Sequence, residues 1–210
     1  MATALPTSVN MSLIRFHFLH DTREVDLSQI PSDILFTHHV ADLVPTFDRS
    51  AFVSEGLLPF QNSQFSDDEV RRYVAHVRLL YAVQNIDPSG IYHHVILEDQ
   101  IDLTDNFMNS HLDLLNNVPR SYDACHLYVF PQQAWVFDLN KVYESLPQLK
   151  GCCIYTVSPS GRSKILNNLR PMNAPYDVML HKSGLESYTV NANIVRHIDP
   201  ENGIGYYDPF

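Results

Sequence analysis

The sequence predicts an α/β fold in which helices pack on a β-sheet. Short apolar runs with strand composition alternate with segments whose apolar residues recur at helical spacing, and this order is typical of a sheet covered by helices. The chain has 210 residues, of which 45% are hydrophobic and 18% charged, enough for a sizeable core in one domain. We therefore predict a single domain over residues 13–210, preceded by a small, polar, flexible leader over residues 1–12.

Two strands are predicted before residue 62. Residues 13–20 have a mostly alternating pattern, and residues 33–40 form a second short run after the break at Pro31. Proline and glycine then interrupt any long periodicity over residues 44–62, so we predict that this stretch is mainly loop.

The clearest helix is predicted over residues 66–84. Ser66 can cap its N-terminus, Glu69 lies at the partner position of a capping box, and acidic residues in the first turn suit the positive end of the helix dipole. The apolar residues at helical spacing are Val70, Tyr73, Val74, Val77, Leu80, Tyr81 and Val83. Turn-forming residues at 87–90 end the helix.

Strands and helices alternate from there to the end of the chain. Residues 92–97 are a short apolar run between a turn and acidic residues, as expected for a buried central strand. The further predicted strands are 123–130, 133–138, 151–157 and 187–195. The further predicted helices are 105–117, 158–169 and 177–183, the second with Ser158 as its cap and Pro159 at its first position.

The charge balance disfavours nucleic acid as a partner. Fourteen Lys and Arg against 24 Asp and Glu give a net charge of −10, whereas binding to nucleic acid needs clustered cations. The three cysteines do not form a secreted disulfide framework, and we expect them to be small buried hydrophobes. Since neither a signal peptide nor an apolar run of ~20 residues is present, a cytoplasmic protein without a membrane span is expected.

The most informative position is Glu98-Asp99-Gln100, directly after the predicted strand 92–97. Ligands of open α/β sheets collect outside the carboxyl ends of the strands. Carboxylate oxygens there are suited to a divalent cation, which can neutralise a diphosphate leaving group. The alternative is that Glu98 and Asp99 only begin a solvated loop.

Several segments resemble the family-25 glycosyltransferases, the lipooligosaccharide and collagen galactosyltransferases. The acid-led helix at 68–79 resembles a helix of that family, and Val95-Ile96-Leu97-Glu98-Asp99-Gln100-Ile101, followed by Phe107, resembles its LEDDV strand and loop. Further segments that resemble the family in order are 119–123, 151–161, 175–180 and 188–195. Together these segments span about residues 66–198.

The resemblance implies a GT-A-like fold, a mixed sheet flanked by helices. It also implies transfer of a sugar from a nucleotide-sugar, with a UDP-sugar favoured, to a hydroxyl of a glycan or protein acceptor, assisted by Mn²⁺ or Mg²⁺. Such an enzyme must hold a diphosphate, stabilise its departing charge and place the acceptor oxygen beside the anomeric carbon.

The resemblance also implies roles for individual residues. Asp99 and Glu98 would bind the metal and the nucleotide-sugar, with His181 as a further metal ligand. Asp177, together with Asp99, is the catalytic candidate, either as the base on the acceptor side or as a carboxylate near the metal. His76 would bind the nucleotide or support the acidic strand end. The other candidates for binding the donor are Arg78, Gln100 and Ser158.

The sequence departs from the family pattern near these residues. Gln100 stands where the family has a third acid, and Arg71-Arg72 stand where it has Gly-Cys. These arginines are interpreted either as a solvated helix face or as a phosphate clamp. The departures favour, as an alternative function, a catalytically inactive GT-A-like binding or assembly protein. A His/Asp metal hydrolase is disfavoured because no H-x-x-x-H helix pair is present. For the adjacent pairs His38-His39 and His93-His94 we expect a structural or surface role, because the side chains of each pair point to opposite strand faces.

Overall fold

A mixed α/β architecture is observed, as the sequence predicts. The computed structural model describes residues 9–61, 64–127, 142–144, 153–182, 184–190, 195–198 and 205–206. The strands of the larger sheet are β1 (Ile14–His20), β2 (Leu35–His39), β3 (His93–Glu98), β5 (Ala124–His126), β6 (Val142–Glu144), β7 (Ile154–Val157) and β8 (Ser187–Val190). The strands of the smaller sheet are β4 (Ile101–Leu103), β9 (Val195–Ile198) and β10 (Gly205–Tyr206). The helices are α1 (Val40–Leu43), α2 (Arg49–Ser54), α3 (Asp67–Ile86), α4 (Phe107–Asn117), α5 (Gly161–Asn168) and α6 (Tyr176–Lys182).

Over the described residues, the larger sheet has seven strands in the order β2-β1-β3-β7-β5-β8-β6. Strand β1 is parallel to β2 and to β3, whereas β3 and β7 are antiparallel. Leu19 of β1 is in register with Glu98 of β3. The carboxyl ends of these two parallel strands therefore lie side by side, where ligand sites of open α/β sheets are found.

Apolar layers cover both faces of this sheet. Ile96 and Tyr155 belong to the core that includes the buried face of α3, whereas Val95, Leu97 and Ile154 belong to the core that includes α4. Successive strand residues point to opposite faces, so one central strand serves both cores. This burial explains why the middle of the strand, Val95-Ile96-Leu97, is a continuous apolar run.

The structure confirms the capping box and most of the apolar face that the sequence predicts for helix α3. The Ser66 side chain accepts a hydrogen bond from the backbone N–H of Glu69 at 3.2 Å, and the Glu69 carboxylate accepts one from the Ser66 N–H at 2.8 Å. The predicted apolar positions that are completely buried are Val70, Tyr73, Val74, Val77, Leu80 and Val83. Tyr81 is the exception, because 37% of it is exposed.

The described part of the stretch 44–62 is mainly loop, as predicted, but it also contains the short helix α2, which was not predicted. Asp48 caps α2, since its carboxylate accepts hydrogen bonds from the N–H groups of Ser50 and Ala51 at 2.8 and 3.2 Å. Six residues are too few to show helical periodicity, and the apolar anchor of the helix is one buried side chain, Phe52. The short strand β4 was not predicted either.

Helix α5 begins two residues later than predicted. Ser158 does act at this end, because its hydroxyl accepts a hydrogen bond from the N–H of Gly161 at 2.9 Å, but Pro159 lies before the helix. A Cβ atom on Gly161 would lie 2.2 Å from the backbone oxygen of Asp123. The helix start therefore approaches the chain before β5 more closely than any larger residue allows.

Other predictions are tested only in part. The predicted strand 133–138 and Cys152 lie outside the described residues, as do residues 1–8 of the predicted leader. The N–H of Val9 donates a hydrogen bond to Asn116 of α4 at 2.7 Å. Cys125 and Cys153 are buried and free, as expected. Within the described ranges, no helix has the length and apolar character needed to cross a bilayer.

Three histidines form a hydrogen-bonded chain across adjacent strands on the α3 side of the sheet. His17 of β1 contacts His38 of β2 at 3.0 Å and His94 of β3 at 2.9 Å, and His94 contacts the carboxylate of Asp87 at 3.3 Å. Arg162 lies 3.7 Å from the same carboxylate. Burial lowers the pKa of His94 to about 4 and lowers that of His17 well below its usual value. The histidines of this hydrogen-bonded chain are therefore favoured in the neutral form.

Candidate functional site

A cleft opens at the adjoining carboxyl ends of β1 and β3. It encloses about 430 Å³, counted with its opening to solvent. The lining residues are Leu19, Asp21, Thr22, Val40, Arg71, Arg72, Glu98, Asp99 and Gln100. The three residues after the predicted central strand therefore line a cleft, as their position at the strand end predicts.

Asp99 connects the end of β3 to the loop that follows β1. One oxygen of its carboxylate, Oδ2, accepts hydrogen bonds from the backbone N–H groups of Asp21, Thr22 and Arg23 at 2.9, 2.8 and 3.0 Å. Only 6% of Asp99 is exposed. The Arg23 guanidinium also pairs with Asp102 at 2.7 Å, beyond the same turn. Asp99 therefore fixes one wall of the cleft.

Glu98 is held between two side chains of α3. Its Oε1 lies 2.8 Å from Nε2 of His76, and its Oε2 lies 3.3 Å from the guanidinium of Arg72. Arg72 and His76 are four residues apart and therefore share a helix face. Glu98 is 5% exposed and His76 is completely buried, whereas 48% of the Arg72 side chain is exposed. The guanidinium is therefore the solvent-accessible part of this cluster.

A buried network continues from Glu98 toward α6. Nδ1 of His76 lies 3.0 Å from the hydroxyl of Tyr155, which lies 2.7 Å from the hydroxyl of Tyr176. The His76 ring also stacks on Tyr176, with centroids 4.2 Å apart. A tautomer of His76 that donates from Nε2 to the Glu98 carboxylate and accepts at Nδ1 from the Tyr155 hydroxyl satisfies these contacts. The network fixes the Glu98 side chain from inside the protein.

The structure places Asp177 at the start of α6, directly after Tyr176. It is half-buried, and its carboxylate accepts a hydrogen bond from the N–H of Val178 at 2.8 Å. Asp177 is not among the described residues that line the cleft. His181 lies in the same helix, but its side chain is outside the described part of the chain. Their catalytic and metal-binding roles stay predictions.

Ser158 and Arg78 make contacts away from the cleft-lining residues. Ser158 is 2% exposed and shapes the turn before α5 through its bond to Gly161. The Arg78 guanidinium donates to both carboxylate oxygens of Glu55 at 3.0 Å and to the carbonyl of Leu43 at 2.8 Å. These contacts give Arg78 a role in joining α3 to α1 and to the end of α2. Donor binding by either residue stays a prediction.

The donor set at the strand end does not fit a divalent cation as arranged. In the described parts of the chain, no group of three or more His, Cys, Asp or Glu side chains converges in a way that could hold a metal. Both oxygens of Glu98 contact other side chains, and one oxygen of Asp99 accepts three N–H groups. Gln100 adds a neutral amide. The requirement for Mn²⁺ or Mg²⁺ stays a prediction from the resemblance.

Arg71 and Arg72 line the cleft, so they do not form a purely solvated helix face. The contacts of Tyr155 and Tyr176 with the site were not predicted from the sequence. The spacing of Arg72 and His76 was the available signal, since it places both side chains on one face. The contact of His76 with Tyr155 depends on how α3 packs against β7, and the sequence pattern contains no signal for that packing.

Comparison with known proteins gives weak structural similarities. No protein-family model matches the chain, and no curated protein matches it. The structure is similar to A197 from STIV, with a TM-score of 0.47 and 11% identity, covering 89% of this chain and 87% of A197. It is also similar to apo mouse xyloside xylosyltransferase 1, with a TM-score of 0.34 and 12% identity, covering 79% of this chain and 67% of that protein. At these TM-scores neither similarity assigns a fold family or an activity, and membership in family 25 stays a prediction.

Proposed function

We propose that the chain is a glycosyltransferase with a GT-A-like fold that transfers a sugar from a nucleotide-sugar, with a UDP-sugar favoured, to a hydroxyl of a glycan or protein. The observation that supports this proposal is the cleft at the carboxyl ends of β1 and β3. In it, Arg71 and Arg72 meet Glu98 and Asp99. Guanidinium groups bind phosphate oxygens, and carboxylates accept hydrogen bonds from sugar and ribose hydroxyls.

The proposed roles follow from what each side chain contacts. Asp99 holds the loop after β1, so it shapes the cleft in which the donor would lie. Gln100 offers both a donor and an acceptor to a hydroxyl of the donor. The role of Asp177 follows instead from the resemblance, because Asp177 is not among the described residues that line the cleft. It is proposed as the base that takes the proton of the acceptor hydroxyl, which requires a carboxylate within hydrogen-bond reach of that proton.

The test is a panel of UDP-, GDP- and CMP-sugars with the purified protein. We expect a UDP-sugar to raise the melting temperature, because ligand binding stabilises the native state. We also expect slow release of UDP, and Asp177→Asn should lower that release by at least about tenfold while the thermal shift remains. Asp113→Asn is the matched control, because Asp113 is exposed on α4, on the opposite side of the sheet. If none of the donors changed the melting temperature or was hydrolysed, the proposal would be wrong.

A catalytically inactive binding or assembly protein on the same scaffold is the second candidate. The observation that favours it is that Glu98 and Asp99 are engaged by protein groups at the position where the resemblance expects metal ligands. The same panel separates the two functions. A thermal shift without turnover on any donor, in the presence or absence of Mn²⁺, favours the inactive protein.

A further inference from the structure

We propose that Arg71 and Arg72 supply the positive charge that binds the donor diphosphate, so that nucleotide binding in this cleft does not require a divalent cation. This inference rests on the proposed function, and it concerns what neutralises the diphosphate. Release of a nucleoside diphosphate needs positive charge near the phosphate oxygens, whether a metal ion or a guanidinium provides it.

The position of Arg72 is the first support. Its guanidinium pairs with Glu98 at 3.3 Å, which orients it at the cleft, and nearly half of the side chain is exposed. The Glu98 carboxylate is itself held by a hydrogen bond with His76, so the guanidinium pairs with a group whose position is fixed. A planar guanidinium oriented in this way is suited to the oxygens of a diphosphate.

Arg71 is the second support. It lines the same cleft as Arg72, and its guanidinium lies 5.8 Å from the centroid of the Phe47 ring. An aromatic ring that supports a guanidinium restricts its motion, which lowers the entropy lost when a ligand binds. The two adjacent arginines therefore present two cationic groups to one cleft.

The carboxylates of the cleft are the third support, because the two at the strand end are mostly inaccessible. Glu98 and Asp99 are 5% and 6% exposed, and both accept hydrogen bonds or ion pairs from protein groups. Asp21 is exposed, so among the described residues that line the cleft the accessible charges are those of Asp21 and the two arginines. A diphosphate in the cleft therefore meets guanidinium groups more readily than it meets buried carboxylate oxygens.

The residue types that line the cleft point in the same direction. Beside Glu98 and Asp99, the cleft is lined by the neutral Gln100 and by Arg71 and Arg72, which add two positive charges. These neutral and positive side chains weaken cation binding and strengthen anion binding.

The experiment measures binding of UDP and GDP by calorimetry in EDTA and, separately, in Mn²⁺, with uridine and guanosine as the matched probes without phosphate. We expect at least one nucleotide to bind in EDTA, more tightly than its nucleoside does, and we expect its affinity to fall as salt rises. Arg71→Gln and Arg72→Gln should each weaken that binding by about tenfold to a hundredfold. Arg72→Lys, which keeps the charge but loses the planar fork, should give an intermediate affinity.

The control variant is Arg15→Gln, because Arg15 lies over the Tyr92 ring near the amino end of β1, away from the cleft. It should bind the nucleotide as tightly as the wild type. Since Arg72→Gln removes the ion pair between Arg72 and Glu98, the melting temperature of each variant is measured. Arg71→Gln keeps the test valid if Arg72→Gln unfolds.

Each other outcome overturns the inference. Nucleotide binding in Mn²⁺ that EDTA abolishes would show that a metal is required and would leave the glycosyltransferase proposal intact. Binding in EDTA that both arginine variants retain would show that other groups hold the phosphates. If no nucleotide bound under either condition, the inference and the proposed function would both be wrong.

Discussion

His111 of α4 is a completely buried imidazole in an apolar environment. Its ring centroid lies 5.5 Å from those of Phe16 and Phe107, and neither ring nitrogen has a hydrogen-bond partner among the described residues. Burial lowers its pKa to about 3. This side chain therefore destabilises the fold, and replacing it with a leucine of similar volume should stabilise the protein.

Two contributions give the size of the effect. A buried polar group without a partner costs about 1–3 kcal/mol, so His111→Leu should raise the free energy of unfolding by about that amount at pH 7. In the unfolded chain the imidazole has a pKa near 6.5 and takes up a proton as the pH falls, whereas the folded protein does not do so until about pH 3. The wild-type protein therefore becomes less stable as the pH falls below about 6.5. By pH 5 this histidine lowers the free energy of unfolding by about 2 kcal/mol.

The assay is urea unfolding of wild type and His111→Leu at pH 7 and pH 5, followed by circular dichroism. The stability gap between the two proteins should widen by about 2 kcal/mol at the lower pH. His39→Leu is the matched control, because it places the same side chain at an exposed position of β2 and should give no stabilisation at pH 7. A destabilised His111→Leu protein with the wild-type pH dependence would refute the reasoning, because it would mean that the imidazole has a partner.

Three further substitutions test the packing of charged and close-packed groups. Gly161→Ala places a Cβ atom 2.2 Å from the backbone oxygen before β5 and should lower the unfolding free energy by about 3 kcal/mol, seen as a lower melting temperature. Asp87→Ala leaves the buried Arg162 without its carboxylate and should cost about 3–5 kcal/mol in urea unfolding; an unchanged midpoint would contradict this. Asp99→Ala removes the acceptor of three N–H groups, so the loop after β1 should open more often and trypsin should cleave faster after Arg23. Asp99→Asn keeps an acceptor oxygen, and trypsin should cleave this variant nearly as slowly as the wild type.

Elements with strong local signals were predictable from the sequence. Helix α3 has twenty residues, a capping box and a continuous apolar face, so local chemistry and tertiary burial agree. The apolar run of β3 and the acids after it identified the strand end that forms the cleft. Helix α2 was missed because its six residues show no period and the burial of Phe52 depends on long-range packing.

The contacts of the candidate site were less predictable than its position. Pairing of Arg72 with Glu98 requires α3 to pack across the end of β3. Local sequence patterns do not show which helix face contacts which strand. The engagement of Asp99 with the loop after β1 depends on the strand register in the same way. Local patterns identify which residues are at a strand end, whereas long-range packing determines whether a carboxylate faces a ligand or a backbone N–H.

The hydrogen bonds of the histidine chain across β2, β1 and β3 all run in one donor-to-acceptor direction. The carboxylate at the inner end of the chain determines this direction. Ionised Asp87 can only accept, so His94 donates to it from Nε2 and must accept at Nδ1 from His17. His17 in turn accepts from His38, a half-buried residue on the edge strand. One carboxylate in a turn thus selects the tautomer of three imidazoles in succession, and neutralising it would remove the preference for one hydrogen-bond polarity across all three strands.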